Sequence, residues 1–194
     1  SSEGATDVAL AEREILWLKP DFIVLYDRAA SKSAGKFKRW WLQLPNPATI
    51  NGNQATITMA SGQQLFVTSL LPADAVLSAI ISDEQLIQET AAADDPMKVR
   101  LRVDAPGDPQ SVRFLHVLQG ADPGANVTPT LLLRSVDSHF EGATIANNLV
   151  LFPVDREALA SAIEYTVAVS VTRHFVTGLK PNTGYNVQVQ RSEE

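Results

Sequence analysis

The chain reads as an all-β protein, a large antiparallel β-sandwich of about a dozen strands. Three observations predict it. Apolar and polar residues alternate with a period of two along most of the 194 residues. Turn residues such as Asn51-Gly52, Ser61-Gly62 and the Pro181-to-Gly184 cluster punctuate the runs at short intervals. No heptads, no repeat period and no strand–helix–strand unit break the pattern.

In chain order, residues 14–19 and 22–27 are two β-rich runs joined by the turn Lys19-Pro20-Asp21. A Ser/Gly/Lys loop leads into residues 37–44, which end at Pro45-Asn46-Pro47, because two prolines in three residues cannot feed a ladder. Asn51-Gly52 predicts a hairpin between residues 48–50 and 55–59, and Ser61-Gly62 turns the chain into residues 64–70. Residues 76–81 read as a strand, and residues 83–93 as a short helix or an irregular excursion broken by Asp94-Asp95-Pro96. Met97, Val99, Leu101 and Val103 then share one strand face, with Lys98, Arg100 and Arg102 on the other. Residues 111–119 are apolar on both sides, as in a central strand covered twice. Residues 131–136, 142–146 and 149–154 are further strands, with Asn147-Asn148 as the turn between the last two. Residues 156–162 suit a surface helix or a loop, and residues 163–171, 173–177 and 185–190 complete the strands. The N-terminal residues 1–12 read as a flexible boundary segment resembling a processing point, and residues 13–191 as a single sandwich domain.

The composition narrows the function. A net charge of −6 argues against nucleic acid and anionic membrane as partners, since both need a positive surface. Lys32, Lys36, Lys38 and Arg39 form the densest basic cluster, which as a charge run is ordinarily a solvated loop and strand end. With no cysteine, disulfides, thiolate metal sites and cysteine nucleophiles are excluded. No apolar run approaches the ~18 residues of a spanning helix.

His116, His139 and His174 stand at no metal-binding spacing, and no cofactor is expected. His116 reads as a buried, hydrogen-bonded strand residue, His139 as a solvated turn residue and His174 as a sheet-surface residue. Nucleophile elbows, phosphate loops and dinucleotide fingerprints are missing from the sequence. Asp94 and Asp95 lack the alternating aspartates of a calcium loop. Trp40 and Trp41 are neighbours on one strand: one faces out if that strand borders solvent, and both are core if it is covered twice. An outward indole beside Lys38 or Arg39 makes a sugar-stacking platform, so Trp40, Trp41, Lys38 and Arg39 are the carbohydrate-binding candidates. Trp17 and Tyr26 read as ordinary core or edge aromatics.

The segment Arg13-Glu14-Ile15-Leu16-Trp17-Leu18-Lys19-Pro20-Asp21-Phe22-Ile23-Val24-Leu25-Tyr26-Asp27-Arg28 resembles the strand-turn-strand of heparinase II/III-like polysaccharide lyases. Phe37-Lys38-Arg39-Trp40-Trp41-Leu42-Gln43-Leu44, Leu65-Phe66-Val67-Thr68-Ser69-Leu70-Leu71-Pro72 and Phe114-Leu115-His116-Val117-Leu118 are similar to later strands of the same sandwich, in the same order. The resemblance implies the C-terminal β-sandwich of a secreted, periplasmic or extracellular bacterial lyase that cleaves uronic-acid polysaccharides by β-elimination. It also implies an α-helical toroid upstream in the same polypeptide as the partner, with acidic polysaccharide as ligand. Its catalytic residues come from regions preceding this chain, and the place of a family metal histidine reads Gln43-Leu44-Pro45-Asn46 here. No catalytic or metal residue is therefore carried over, and the isolated chain is expected to be inactive. Asp27 and Arg28 match the pattern as structural residues, in a strand-end ion pair or in turn hydrogen bonds. Residues 176–187 also resemble the last corner of fibronectin type III domains, which makes Tyr185 a fold residue. A stand-alone carbohydrate-binding module and a structural adhesion-like domain are the competing readings.

Overall fold

The computed structural model describes residues 7–80, 99–159 and 162–190, and these form thirteen strands in three sheets. The largest sheet has six strands in the order β1 (Val8–Leu18), β2 (Phe22–Ser31), β9 (Ser111–Ala121), β6 (Gln64–Leu71), β5 (Gln54–Thr58) and β4 (Thr49–Asn51). A three-stranded sheet runs β3 (Arg39–Leu44), β8 (Val99–Asp104), β7 (Val76–Ile80). A four-stranded sheet runs β10 (Thr130–Arg134), β11 (Phe140–Ile145), β12 (Asn148–Pro153), β13 (Arg173–Val176).

The architecture is a stack with the six-stranded sheet in the middle, because its alternating side chains feed two cores. Leu25, Val67 and Phe114 pack with Trp40, Leu44, Leu101 and Val103 of the three-stranded sheet. Val24, Tyr26, Leu115 and Val117 point the opposite way and pack with Ala143, Ile145, Val150 and Phe152 of the four-stranded sheet. Strands β2 and β9 are thus sealed on both faces, the condition that the two-sided apolar run at 111–119 anticipates. β9 is inserted between β2 and β6, antiparallel to both, so it joins two hairpin-built halves.

Several elements differ from the sequence reading. β1 starts at Val8 and pairs with β2 from there, so residues 8–12 belong to the ladder. The turn between β11 and β12 is Ala146-Asn147, with Ala146 at φ 51°, while Asn148 opens β12 and its side-chain amide donates to the Ile145 carbonyl. β13 pairs with β12 in parallel, unlike the other ladders, and the long return through residues 154–172 supplies the crossover that a parallel pair needs. Residues 163–171 are not a strand: Ile163, Tyr165 and Val167 lay their side chains on Phe140, Leu149 and Leu151 without joining a ladder. Alternation is satisfied by packing over a sheet as well as by pairing within one. Residues 185–190 run exposed and join no ladder among the described residues. Residues 156–159 are not helical, and the excursion at 83–93 and the Asp94-Asp95 pair lie outside the described residues.

Candidate functional site

The outward face of the three-stranded sheet gathers the chemistry. On β3 the alternation turns Trp40, Leu42 and Leu44 into the core and leaves Arg39, Trp41 and Gln43 facing out. Register with β8 sets Arg39 opposite Asp104, Trp41 opposite Arg102 and Gln43 opposite Arg100. The Asp104 carboxylate is shared, taking Arg39 Nε at 2.5 Å and Arg102 Nε at 2.7 Å. The Arg100 guanidinium lies 5.5 Å from the centre of the Trp41 ring, and its Nε donates to Gln43 Oε1 at 3.1 Å. Phe37, exposed beside them, carries the Arg39 guanidinium over its ring at 4.4 Å. Among the described residues this face thus carries Arg39, Arg100 and Arg102 beside the Asp104 carboxylate. Trp41 is 37% exposed at its centre. Such a surface offers an apolar ring for a sugar face and fixed cations for carboxylate or sulfate groups.

The four candidate binding residues divide between the two faces of the sheet. Trp41 and Arg39 share this face. Trp40 is buried, with its ring 4.0 Å from that of His116. Lys38 is buried as well, its ammonium donating to Ser31 Oγ and to the carbonyls of Lys36 and Pro109, so it pins a loop. Both fall on the inward side of the same two-residue alternation that turns their neighbours out. Arg100, Arg102 and Asp104 complete the face and had no place among the candidates. The outward register of 98, 100 and 102 was visible in the sequence, but its pairing with residues 39–43 spans some sixty positions and leaves no local signal.

The histidines are scattered. His116 is fully buried between the central and three-stranded sheets, and neither ring nitrogen has a hydrogen-bond partner among the described residues, contrary to the expected satisfied histidine. Burial, helped by the Arg13 charge, pushes its pKa down to about 3. His139 lies in a turn, where its backbone N–H donates to Asp137 Oδ1. The Ser135 hydroxyl, chiefly, holds that carboxyl below its usual range. His174 Nδ1 lies 2.8 Å from the Tyr165 hydroxyl. Among the described residues no group of three His, Cys, Asp or Glu is placed to hold a metal ion.

The charged residues near the motif Asp27-Arg28 are structural, though in mid-strand. Asp27 takes both Nε and Nη2 of Arg13, and buried Arg28 joins Glu14 at 2.6 Å, Glu12 at 3.4 Å and the carbonyls of Pro153 and Val154. Across the same interface, Glu141 is wholly enclosed and accepts from the Tyr26 hydroxyl at 2.8 Å, Arg113 at 2.5 Å and Arg134 at 3.3 Å. Burial first, and the Glu141 charge second, raise the Tyr26 pKa. The Tyr185 hydroxyl accepts the Lys180 backbone N–H at 2.8 Å, the corner bond that the fibronectin-like sequence predicts.

No protein-family model matches the chain, and no curated protein is significantly similar to it. Solved structures do share its fold. A heparan sulfate lyase, HepC from Pedobacter heparinus, superposes with a TM-score of 0.54 at 17% identity over 75% of this chain and 24% of its own. Heparinase III superposes with a TM-score of 0.54 at 10% identity over 73% of this chain and 23% of its own. The chain thus spans about a quarter of the length of the lyases it matches. Over about three quarters of its length, it has the β fold of a heparinase-like domain.

Proposed function

We propose that the chain is the non-catalytic C-terminal β-sandwich of a secreted polysaccharide lyase of bacterial, periplasmic or extracellular setting. In this reading it packs on a helical catalytic domain of the same polypeptide and lends its Trp41–Arg face to the substrate cleft. The observation that carries the proposal is the shared fold with two heparan sulfate lyases, each about four times longer than the matched region. β-Elimination needs a base at the proton next to the uronate carboxylate and a group that neutralises that carboxylate. His116, sealed in the core as the neutral ring, serves neither role. Arg39, Arg100 and Arg102 suit an acidic chain, and Trp41 suits a sugar face.

The test is to incubate residues 1–194 with heparan sulfate and other uronate polysaccharides. Binding without the ultraviolet absorbance of unsaturated uronate is expected; turnover would defeat the non-catalytic assignment. Trp41→Ala should weaken binding about tenfold, the loss of roughly one good ring contact, and leave the thermal midpoint unchanged. The exposed Trp41 also favours a second reading, a stand-alone carbohydrate-binding module, which a full-length polypeptide lacking any further domain would support.

A further inference from the structure

The edge of the stack where β1 and β3 meet carries a second exposed indole. β1 is the outer strand of the central sheet and β3 the outer strand of the three-stranded sheet, and the Arg13 guanidinium joins them, 5.8 Å from the centre of the Trp40 ring. Alternation along β1 turns Leu16 and Leu18 into the core and leaves Arg13, Ile15 and Trp17 facing out. Asp27 holds Arg13 by two bonds, so that guanidinium serves the junction. Four residues further along the strand, about 13 Å at the usual rise, Trp17 is 58% exposed. Its ring is held in place: the indole N–H donates to the Pro20 carbonyl at 3.2 Å, and the Lys19 ammonium lies 4.8 Å from the ring centre. Among the described residues that ammonium pairs with no carboxylate. Glu12 and Glu14 stand on the opposite face of the strand, engaged by buried Arg28.

We infer that Trp17 and Lys19 form a second carbohydrate-binding site, which takes a sugar ring bearing an anionic group. The apolar face of the sugar stacks on the fixed indole, and the anionic group meets the ammonium. The inference deepens the proposed binding of an acidic polysaccharide and rests on it. Trp40 and Trp41 are neighbours on β3, so the Arg13–Trp40 junction sets the Trp41 face and the Trp17 site on the two flanks of one edge. A polymer laid over that edge meets an indole and a cation on each flank, and each engagement raises the effective concentration for the other. An indole already tied to Pro20 also gives up little freedom when a sugar covers it.

Tryptophan emission tests the site. The chain has three tryptophans and Trp40 is buried, so removing Trp41 leaves Trp17 as the exposed indole. Titrating Trp41→Ala with heparan sulfate oligosaccharides should therefore shift the emission to a saturating value. Adding Lys19→Gln should weaken that titration several-fold and reduce its dependence on salt. In the otherwise unchanged chain, Trp17→Ala should weaken binding about tenfold and leave the thermal midpoint in place. If the parent chain binds but Trp17→Ala binds equally well, or the emission of Trp41→Ala does not respond, the β1 site is overturned and the Trp41 face stands. A midpoint that falls in Trp17→Ala makes the indole a fold residue and overturns the site as well. A parent chain that binds no uronate polysaccharide sinks the proposed reading itself.

Discussion

Glu141 meets three donors in a place that water does not reach, and it joins the central sheet to the four-stranded one through Tyr26, Arg113 and Arg134. Replacing it by glutamine keeps the shape but leaves two guanidinium groups facing an uncharged amide. Both arginines are partly solvated and can turn to water, so the cost should be about 2 kcal/mol, below the roughly 3–5 kcal/mol of a fully buried pair; urea unfolding of Glu141→Gln checks it. His116 sets a different dependence. It is held neutral in the fold with a pKa of about 3, whereas the unfolded chain binds a proton near 6.5. The unfolded state therefore takes up the extra proton between these values. The stability contribution is complete above pH 6.5 and is lost as pH falls toward 3, at roughly 1.4 kcal/mol per pH unit. Between pH 6.5 and 5, before most carboxylates titrate, denaturant midpoints should fall for the parent chain and hold steady in His116→Met. An equal slope in both would show that His116 is not the titrating group. Because both ring nitrogens lack partners among the described residues, the methionine variant should lose little stability at neutral pH.

Among the elements, β11 and β12 approach so closely that a Cβ built at Gly142 would lie 1.8 Å from the Val150 carbonyl oxygen. Backbone cannot yield as a side chain can, so Gly142→Ala should cost about 3 kcal/mol or more, seen as a large drop in thermal midpoint. Wild-type melting would mean that the strands separate readily. Which elements were legible follows from the same physics. Hairpin-joined strands such as β4–β5 announce themselves through Asn51-Gly52, because turn and alternation lie within a few residues. The inward Trp40 and outward Trp41 follow once β3 is known to border solvent, but nothing in residues 37–44 says so. That β3 pairs β8, that β9 divides β2 from β6, and that β13 runs parallel to β12 are non-local facts with no local residue to report them. Residues 163–167 mislead for the opposite reason: their rhythm is real, yet it serves packing over Phe140 and Leu151 rather than a ladder.

For the whole molecule, the proposed function places an arginine-bearing, aromatic face on an acidic protein. Its attraction for a charged polymer should therefore weaken with ionic strength. Arg39→Gln with Arg102→Gln should flatten that salt dependence in affinity electrophoresis on heparan sulfate while leaving the melting curve in place; an unchanged salt response would move the binding surface elsewhere. The insertion of β9 has a temporal side as well. During synthesis, β1–β2 and β4–β5–β6 can each form soon after they emerge, yet they cannot unite until residue 121 has left the ribosome. Until then β2 and β6 each present an open edge of bare amides and carbonyls, so the nascent chain spends that interval as two sticky fragments awaiting the strand that zips them together.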